Sequence, residues 1–329
     1  MIPGTILNEL VPEHFPEDAS ERTADLRSVD GPAARIGAWA DVLRRRLSEQ
    51  MRDDLRLRTA IDASGFVGTG IFRVPTVERA RASDGFPIVL GFQFGTVLLR
   101  GDRLAAKSLS YEAGVGLDGG RYKAPVVEFE ARQIPHGYRA PDGCVAAVFD
   151  DEGTTCGLTA GHVVSRARRG QRVAVECSDC RAESRLRSGP AGLLDVACVE
   201  FPCGGPFHED LPSSSVRSAI EGETVSMEFG MTGRVPSTVM QSLSTPSQIL
   251  SVAAPQHFLT DRSGNPGDSG SLVASCSASP GTPELIGMYL GETDCRDENG
   301  HSVCYGYGLD LGQAARMVGA SQLKGEFVV

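Results

Sequence analysis

The chain's 329 residues suffice for two ordinary domains, and 41% hydrophobic against 22% charged residues is the balance of a soluble globular protein. A formal net charge of −10 excludes a nucleic-acid surface built on a concentrated positive patch. No stretch reaches the roughly 18 apolar residues that cross a bilayer, and the opening MIPGTILNELVPEHFPEDAS lacks the basic start and apolar run of a secretory signal. The expectation is a cytoplasmic protein without membrane or nucleic-acid partners. Nine cysteines, an odd number, do not form a secreted disulfide framework, and 39 glycines with 19 prolines favour many turns and short strands.

Taken in chain order, residues 1–30 carry Pro, Glu and Asp without periodicity and predict an extended or partly ordered arm. Residues 33–58 predict a helix, because Ile36, Trp39, Leu43, Leu47 and Met51 recur at three- and four-residue steps. GFVGTGIFRV, GFPIVLGFQFGTVLLRG and KAPVVEFEAR follow as glycine-punctuated strands. Residues 1–132 therefore predict a small α+β domain with no catalytic constellation and a regulatory or targeting role. From about Gln133 to Val329 the chain becomes a series of short strands: two around Asp151-Glu152-Gly153, then QRVAVEC, RAESRLRS and GLLDVACVEF. Regular spacing of short strands predicts an all-β barrel or sandwich, closed by a helix over LGQAARMVGA.

Three stretches of this second region fit one reaction. LTAGHVV places His162 at the end of a strand, LLDVACVEF places Asp195 between apolar residues, and GNPGDSGSLV places Ser269 among small residues. A serine hydroxyl is a weak nucleophile at neutral pH, so an imidazole must take its proton during attack. A carboxylate fixes the tautomer of that imidazole and stabilises its cationic form. The attacked carbonyl becomes an oxyanion, which the N–H groups of Gly267 and Ser269 would stabilise, with glycine letting the peptide turn inward. The order His, Asp, Ser fails the esterase and subtilisin patterns, and Ser271 breaks the Gly-x-Ser-x-Gly elbow.

TAGH, LLDVA and GNPGDSGSLV resemble the signature regions of the trypsin-like (chymotrypsin-fold) serine peptidases, over roughly residues 133–329. The short spacings between them are similar to those of compact bacterial members. The resemblance implies two packed antiparallel six-stranded β-barrels with a C-terminal helix and a site in the cleft between them. It implies His162 as general base and acid, Asp195 as its orienter, Ser269 as nucleophile, and Gly267 with Ser269 as oxyanion hole. A protein or peptide substrate is implied, hydrolysed through an acyl-enzyme, with no cofactor. Ser263, six residues before the nucleophile, is implied at the base of the primary specificity pocket; Tyr289, Leu290 and Gly291 are implied at its wall. The uncharged Ser263 points to an apolar or small residue at the cleaved position. This chain departs from the family in lacking a cysteine after TAGH, in Ser271, and in the absence of an obvious activation peptide before residue 133, so that Asp268 needs a local partner.

Two readings of function stay open from sequence. One is a serine endopeptidase restrained or targeted by residues 1–132. The other is a catalytically silent peptidase-fold module that recruits a partner through those residues. A second cluster, Cys177 and Cys180 with Cys198 and Cys203, has a spacing loosely like a structural zinc site; a disulfide or plain reduced thiols are the other readings.

Overall fold

The computed structural model describes residues 45, 47–62, 66–76, 91–100, 109–115, 121–135, 143–177, 180–189, 194–201, 214–229, 233–244, 256–276, 284–296, 302–320 and 322–323. The predicted amino-terminal arm and the Ile36, Trp39 and Leu43 part of the predicted helix lie outside them. Its described part is helical and runs beyond residue 58. Leu47, Met51, Leu57 and Ile61 are buried, two pairs at the i, i+4 spacing that puts side chains on one face. Asp54 marks a break between the two pairs. Its carboxylate accepts the N–H groups of Arg56 (2.8 Å) and Leu57 (3.2 Å) and so caps α1 (Leu55–Asp62).

Four strands follow: β1 (Phe66–Thr76), β2 (Gly91–Arg100), β3 (Leu109–Val115) and β4 (Arg121–Pro135). β1 pairs antiparallel with β2, and β4 lies between β2, which it meets in parallel, and β3. β4 runs through the expected domain boundary at residue 132.

The first sheet of the second region holds β5 (Ala147–Asp151), β6 (Thr154–Ala160), β7 (Arg172–Cys177), β8 (Cys180–Ser188) and β9 (Val196–Glu200), in the order β5-β6-β9-β8-β7. The β5–β6 turn needs positive φ at both central residues, and Glu152 (φ 53°) and Gly153 (φ 81°) supply it, with Gly153 N–H donating to Asp150. Residues on these strands alternate between two apolar clusters. Ala147, Phe149, Val196 and Cys198 face one; Val148, Ala197 and Val199 face the other. Both faces are covered, which is why these strands read as continuous apolar runs.

The remaining strands are β10 (Ser215–Val216), β11 (Thr224–Phe229), β12 (Gly233–Ser244), β13 (His257–Thr260), β14 (Leu272–Ser275), β15 (Glu284–Arg296) and β16 (Ser302–Asp310). The pairing β11-β14-β15-β16-β13-β12 returns to β11, so six antiparallel strands close into a barrel. Its interior holds Val225, Met227, Phe229, Val239, Phe258, Val273, Ile286 and Tyr289. The ring of Phe258 fills the space that side chains at Gly287 and Gly308 would need, which accounts for glycines in GMYLGE and YGYG. β1 and β4 extend this barrel, pairing with β12 and β15.

The two sheets share one core. Leu158, Val196 and Cys198 of the first pack with Leu272, Ala274, Leu285, Met288 and Leu290 of the second and with Leu311, Ala314 and Ala315 of α2 (Leu311–Val318). Asp310 caps α2 through the N–H of Gln313 (2.8 Å), and Gly319 ends it in the left-handed conformation (φ 75°). The predicted closing helix is therefore present where the sequence puts it.

A part-buried charge network joins β10, β11 and β15. Arg217 grips Glu223 with both terminal nitrogens (3.0 and 2.7 Å) and Glu284 with Nε (2.9 Å), and Glu223 also accepts the Ile220 N–H (2.6 Å). Glu223 is 7% exposed, so losing the arginine leaves a desolvated carboxylate. Arg217→Met is expected to cost about 3 kcal/mol in urea denaturation, with Arg217→Lys recovering only part because it lacks the planar fork.

Candidate active site

β6 and β9 pair up to Ala160 opposite Val196, and one further bond, Gly161 N–H to Asp195 O (3.1 Å), extends the ladder to the residues that matter. A 3₁₀ turn, Gly161–Val164, then lifts His162 off the strand. Asp195 accepts twice from His162. Its Oδ1 takes the backbone N–H (2.7 Å), and its Oδ2 takes the ring Nδ1. Donation from Nδ1 leaves Nε2 as the acceptor in the neutral ring. That Nε2 is buried and has no hydrogen-bond partner among the described residues. The His162 side chain is 11% exposed and that of Asp195 35%, so the carboxylate keeps one side toward water.

Ser269 belongs to the closed barrel and is wholly buried. A chain of contacts carries it to the first sheet. Thr159, three residues before His162, donates its hydroxyl to Cys144 O (2.7 Å); Cys144 N–H donates to Ser269 O (2.8 Å); and Cys144 Sγ reaches Gly267 O (3.6 Å). The next residue, Gly270, has φ 92°, and a Cβ there would stand 2.0 Å from the Cys144 carbonyl oxygen. Only glycine allows that approach, which is the local reason for Gly-Asp-Ser-Gly. The Ser269 hydroxyl donates to Leu290 O on β15 (2.8 Å). His162 and Asp195 are thus joined directly, whereas Ser269 is held by backbone and spends its proton on a carbonyl.

The loop around Ser269 is otherwise saturated. Asp268 N–H donates to Asn265 O, Gly270 N–H to Tyr289 O and Ser271 N–H to Asp268 O. Among the described residues, no backbone acceptor takes the N–H of Gly267 or of Ser269. Gly267 has φ 107°, a backbone conformation that favours glycine. Asp268, fully buried, finds its local partner in the Asn265 N–H (2.7 Å).

The residues expected around the substrate separate. Ser263 is exposed. Tyr289 is 1% exposed inside the barrel, edge-on to Phe229 (centroids 4.9 Å apart), and its hydroxyl accepts the Gly264 N–H (2.8 Å). Burial pushes that phenol up, so it stays protonated. Leu290 turns into the core shared by both sheets, and Gly291 follows at φ 152°. β15 therefore shows main chain rather than side chains on the Ser269 side.

Sequence reasoning missed Cys144, which carries no motif, and gives His257 only the default reading of a surface or satisfied histidine. His257 stacks on Tyr307 (centroids 5.1 Å, planes 12° apart). Burial depresses its pKa to about 4, while the negative charge of Asp195 pulls the other way. Of the four cysteines in the zinc reading, Cys198 is a buried free thiol pushed up to about 12 by burial. Cys177 and Cys180 face each other in backbone register across the β7–β8 hairpin; their side chains, and Cys203, lie outside the described residues. Cys156, also buried, receives a hydrogen bond from Arg187 (3.2 Å) and is raised above an ordinary thiol by burial.

Two outcomes follow from this packing. Gly270→Ala drives a methyl into the Cys144 carbonyl and is expected to destabilise by about 3 kcal/mol or more in urea denaturation. The unfolded chain protonates His257 below about 6.5, and the folded protein refuses that proton until about 4. Stability from this group is complete above 6.5 and falls as pH drops toward 4, by about 2 kcal/mol between pH 7 and pH 5. His257→Phe, which keeps the stack on Tyr307, should remove that part of the pH dependence.

No family model matches the chain, and no curated protein sequence matches it. It is similar in structure to a glutamic acid specific serine protease that uses a histidine triad in substrate binding (12% identity over 56% of this chain and 93% of that one, TM-score 0.37). It is also similar to Thermobifida fusca Protease A (16%, 56% and 92%, TM-score 0.38) and to Nocardiopsis protease (18%, 56% and 98%, TM-score 0.37). The architecture described above, a closed six-stranded antiparallel barrel packed on a second antiparallel sheet with a C-terminal helix, matches the layout of a trypsin-like two-barrel fold, with five strands among the described residues of the second unit where the resemblance implies six.

Proposed function

We propose that the chain is a serine endopeptidase in which Ser269 is the nucleophile, His162 the general base and acid, and Asp195 the group that orients it. The observation that carries this reading is the double grip of Asp195 on His162, which leaves a buried imidazole nitrogen ready to accept a proton. In the reaction the Ser269 hydroxyl exchanges Leu290 O for Nε2 as its acceptor. Its oxygen bonds to the substrate carbonyl carbon, its proton passes to His162, and the carbonyl oxygen becomes an anion held by the N–H groups of Gly267 and Ser269. Collapse of that intermediate breaks the C–N bond, with His162 giving its proton to the leaving amine. Water repeats the sequence on the acyl-enzyme and releases Ser269.

The uncharged, exposed Ser263 and the main-chain surface of β15 support a protein or peptide substrate with an apolar or small residue at the cleaved position. No helix among the described residues is long and apolar enough to cross a membrane. Among the described residues Cys156, Cys198, Cys276, Cys295 and Cys304 are free thiols, which suits a reducing compartment and supports a cytoplasmic location.

Stoichiometric labelling by a fluorophosphonate, abolished in Ser269→Ala, is the expected result. Asp195→Asn should fix the wrong tautomer and lower kcat by about 10⁴-fold on a peptide substrate. A folded wild-type protein that takes no label would overturn the reading and favour the silent partner-recruiting module.

A further inference from the structure

The turn that lifts His162 off β6 runs straight into a basic stretch. Residues 165–172, SRARRGQR, hold four arginines and no acid in a protein of net charge −10. Arg166, Arg168, Arg169 and Arg172 are all exposed. Local backbone bonds set their places. Ser165 donates both its N–H (3.3 Å) and its hydroxyl (2.9 Å) to His162 O, and Ala167 N–H reaches Val164 O (2.9 Å). A second turn follows, with Gln171 N–H on Arg168 O (2.8 Å) and Arg168 N–H on the Gln171 side chain (3.0 Å). Gly170 N–H then donates to Leu186 O on β8 (2.7 Å), and Leu186 N–H to Gln171 O (3.0 Å). That junction puts Arg172 directly opposite Arg185, which is also exposed.

Like charges directly opposite each other across a ladder are destabilising, so the fold gains nothing from this pairing. Among the described residues, Arg166, Arg168, Arg169 and Arg185 enter no ion pair. Acidic residues stand at the borders of the patch in register, Glu183 opposite Ala174 and Glu200 opposite Arg185. A bound anion would offset the repulsion, and the surroundings select which anion. Residues 165–172 and 184–188 contain no aromatic side chain on which a base could stack. The negative charge of the rest of the chain repels a long polyanion that overruns the patch. A short run of carboxylates meets both conditions.

The position suits the reaction. At a 3₁₀ rise of about 2 Å per residue, Arg166 lies about 8 Å along the chain from His162. An extended peptide covers that span in about three residues. His162 hands its proton to the leaving amine, so the residues after the cleaved bond pass on its side.

We propose that Arg166, Arg168, Arg169, Arg172 and Arg185 form a docking surface for an acidic peptide segment, carried by the substrate about three residues beyond the cleaved bond. As a substrate-selecting element this surface rests on the peptidase reading of Ser269; as a binding surface it stands without it.

The test uses the full-length chain and two peptides that share one cleavable core, one ending in EEDE and the other in QQNQ. At about 50 mM salt the acidic peptide should have the higher kcat/KM by about tenfold, carried by KM, and the advantage should vanish at about 0.5 M. Arg166→Glu with Arg168→Glu and Arg169→Glu should bring the ratio of the two peptides to about one. The salt series on wild type reads the same surface without any variant. A fluorescein-labelled EEDE peptide should bind wild type about tenfold more tightly than the reversal in fluorescence polarisation. Fluorophosphonate labelling of both proteins reports the nucleophile separately. Peptide binding that tracks the charges without any labelling supports the docking surface and sinks the peptidase reading. Equal turnover of the two peptides by wild type that labels, equal peptide binding by wild type and reversal, or tighter binding of a single-stranded oligonucleotide or of phosphatidylserine vesicles than of the peptide, overturns the inference.

Discussion

The site depends on a main-chain contact made possible by a missing side chain. Gly270 lies against the Cys144 carbonyl so closely that no Cβ fits between them, while Cys144 N–H reaches Ser269 O. Thr159 holds Cys144 from the other side, and Thr159 belongs to the strand that ends in His162. The serine of one barrel and the strand that leads to the histidine of the other sheet are therefore connected through two hydrogen bonds of Cys144 inside a buried interface. Buried hydrogen bonds of this sort contribute modestly when made and are costly when broken, so they fix geometry more than they add stability.

Around that contact, buried groups are kept neutral or fully paired. Desolvation drives the Cys198 and Cys295 thiols to about 12 and His257 down to about 4, so none of the three carries charge at neutral pH. Arg217 and Glu223 follow the other course, with a bidentate grip supported by Glu284. Asp195 differs from both, being partly exposed and satisfied by two donors from one residue. Its side chain is held by these local hydrogen bonds to His162.

What the sequence shows and what it hides divide along the range of the interactions. The strand contexts of His162, Asp195 and Ser269, the Glu152-Gly153 turn and the capped helix α2 are set by neighbours a few residues away, and local patterning reports them. Burial of both faces in β5 and β9 makes their apolar runs continuous, which reads as strand without revealing which face meets which cluster. Cys144 matters only because its carbonyl meets a residue more than a hundred positions later, and no local pattern marks it. The resemblance implies Tyr289 at the pocket wall, and alternation along β15 turns its ring into the barrel interior. The domain boundary expected at residue 132 falls inside β4 (Arg121–Pro135). Residues 130–135 of β4 lie in register opposite β15, a long-range pairing that a linear reading does not place.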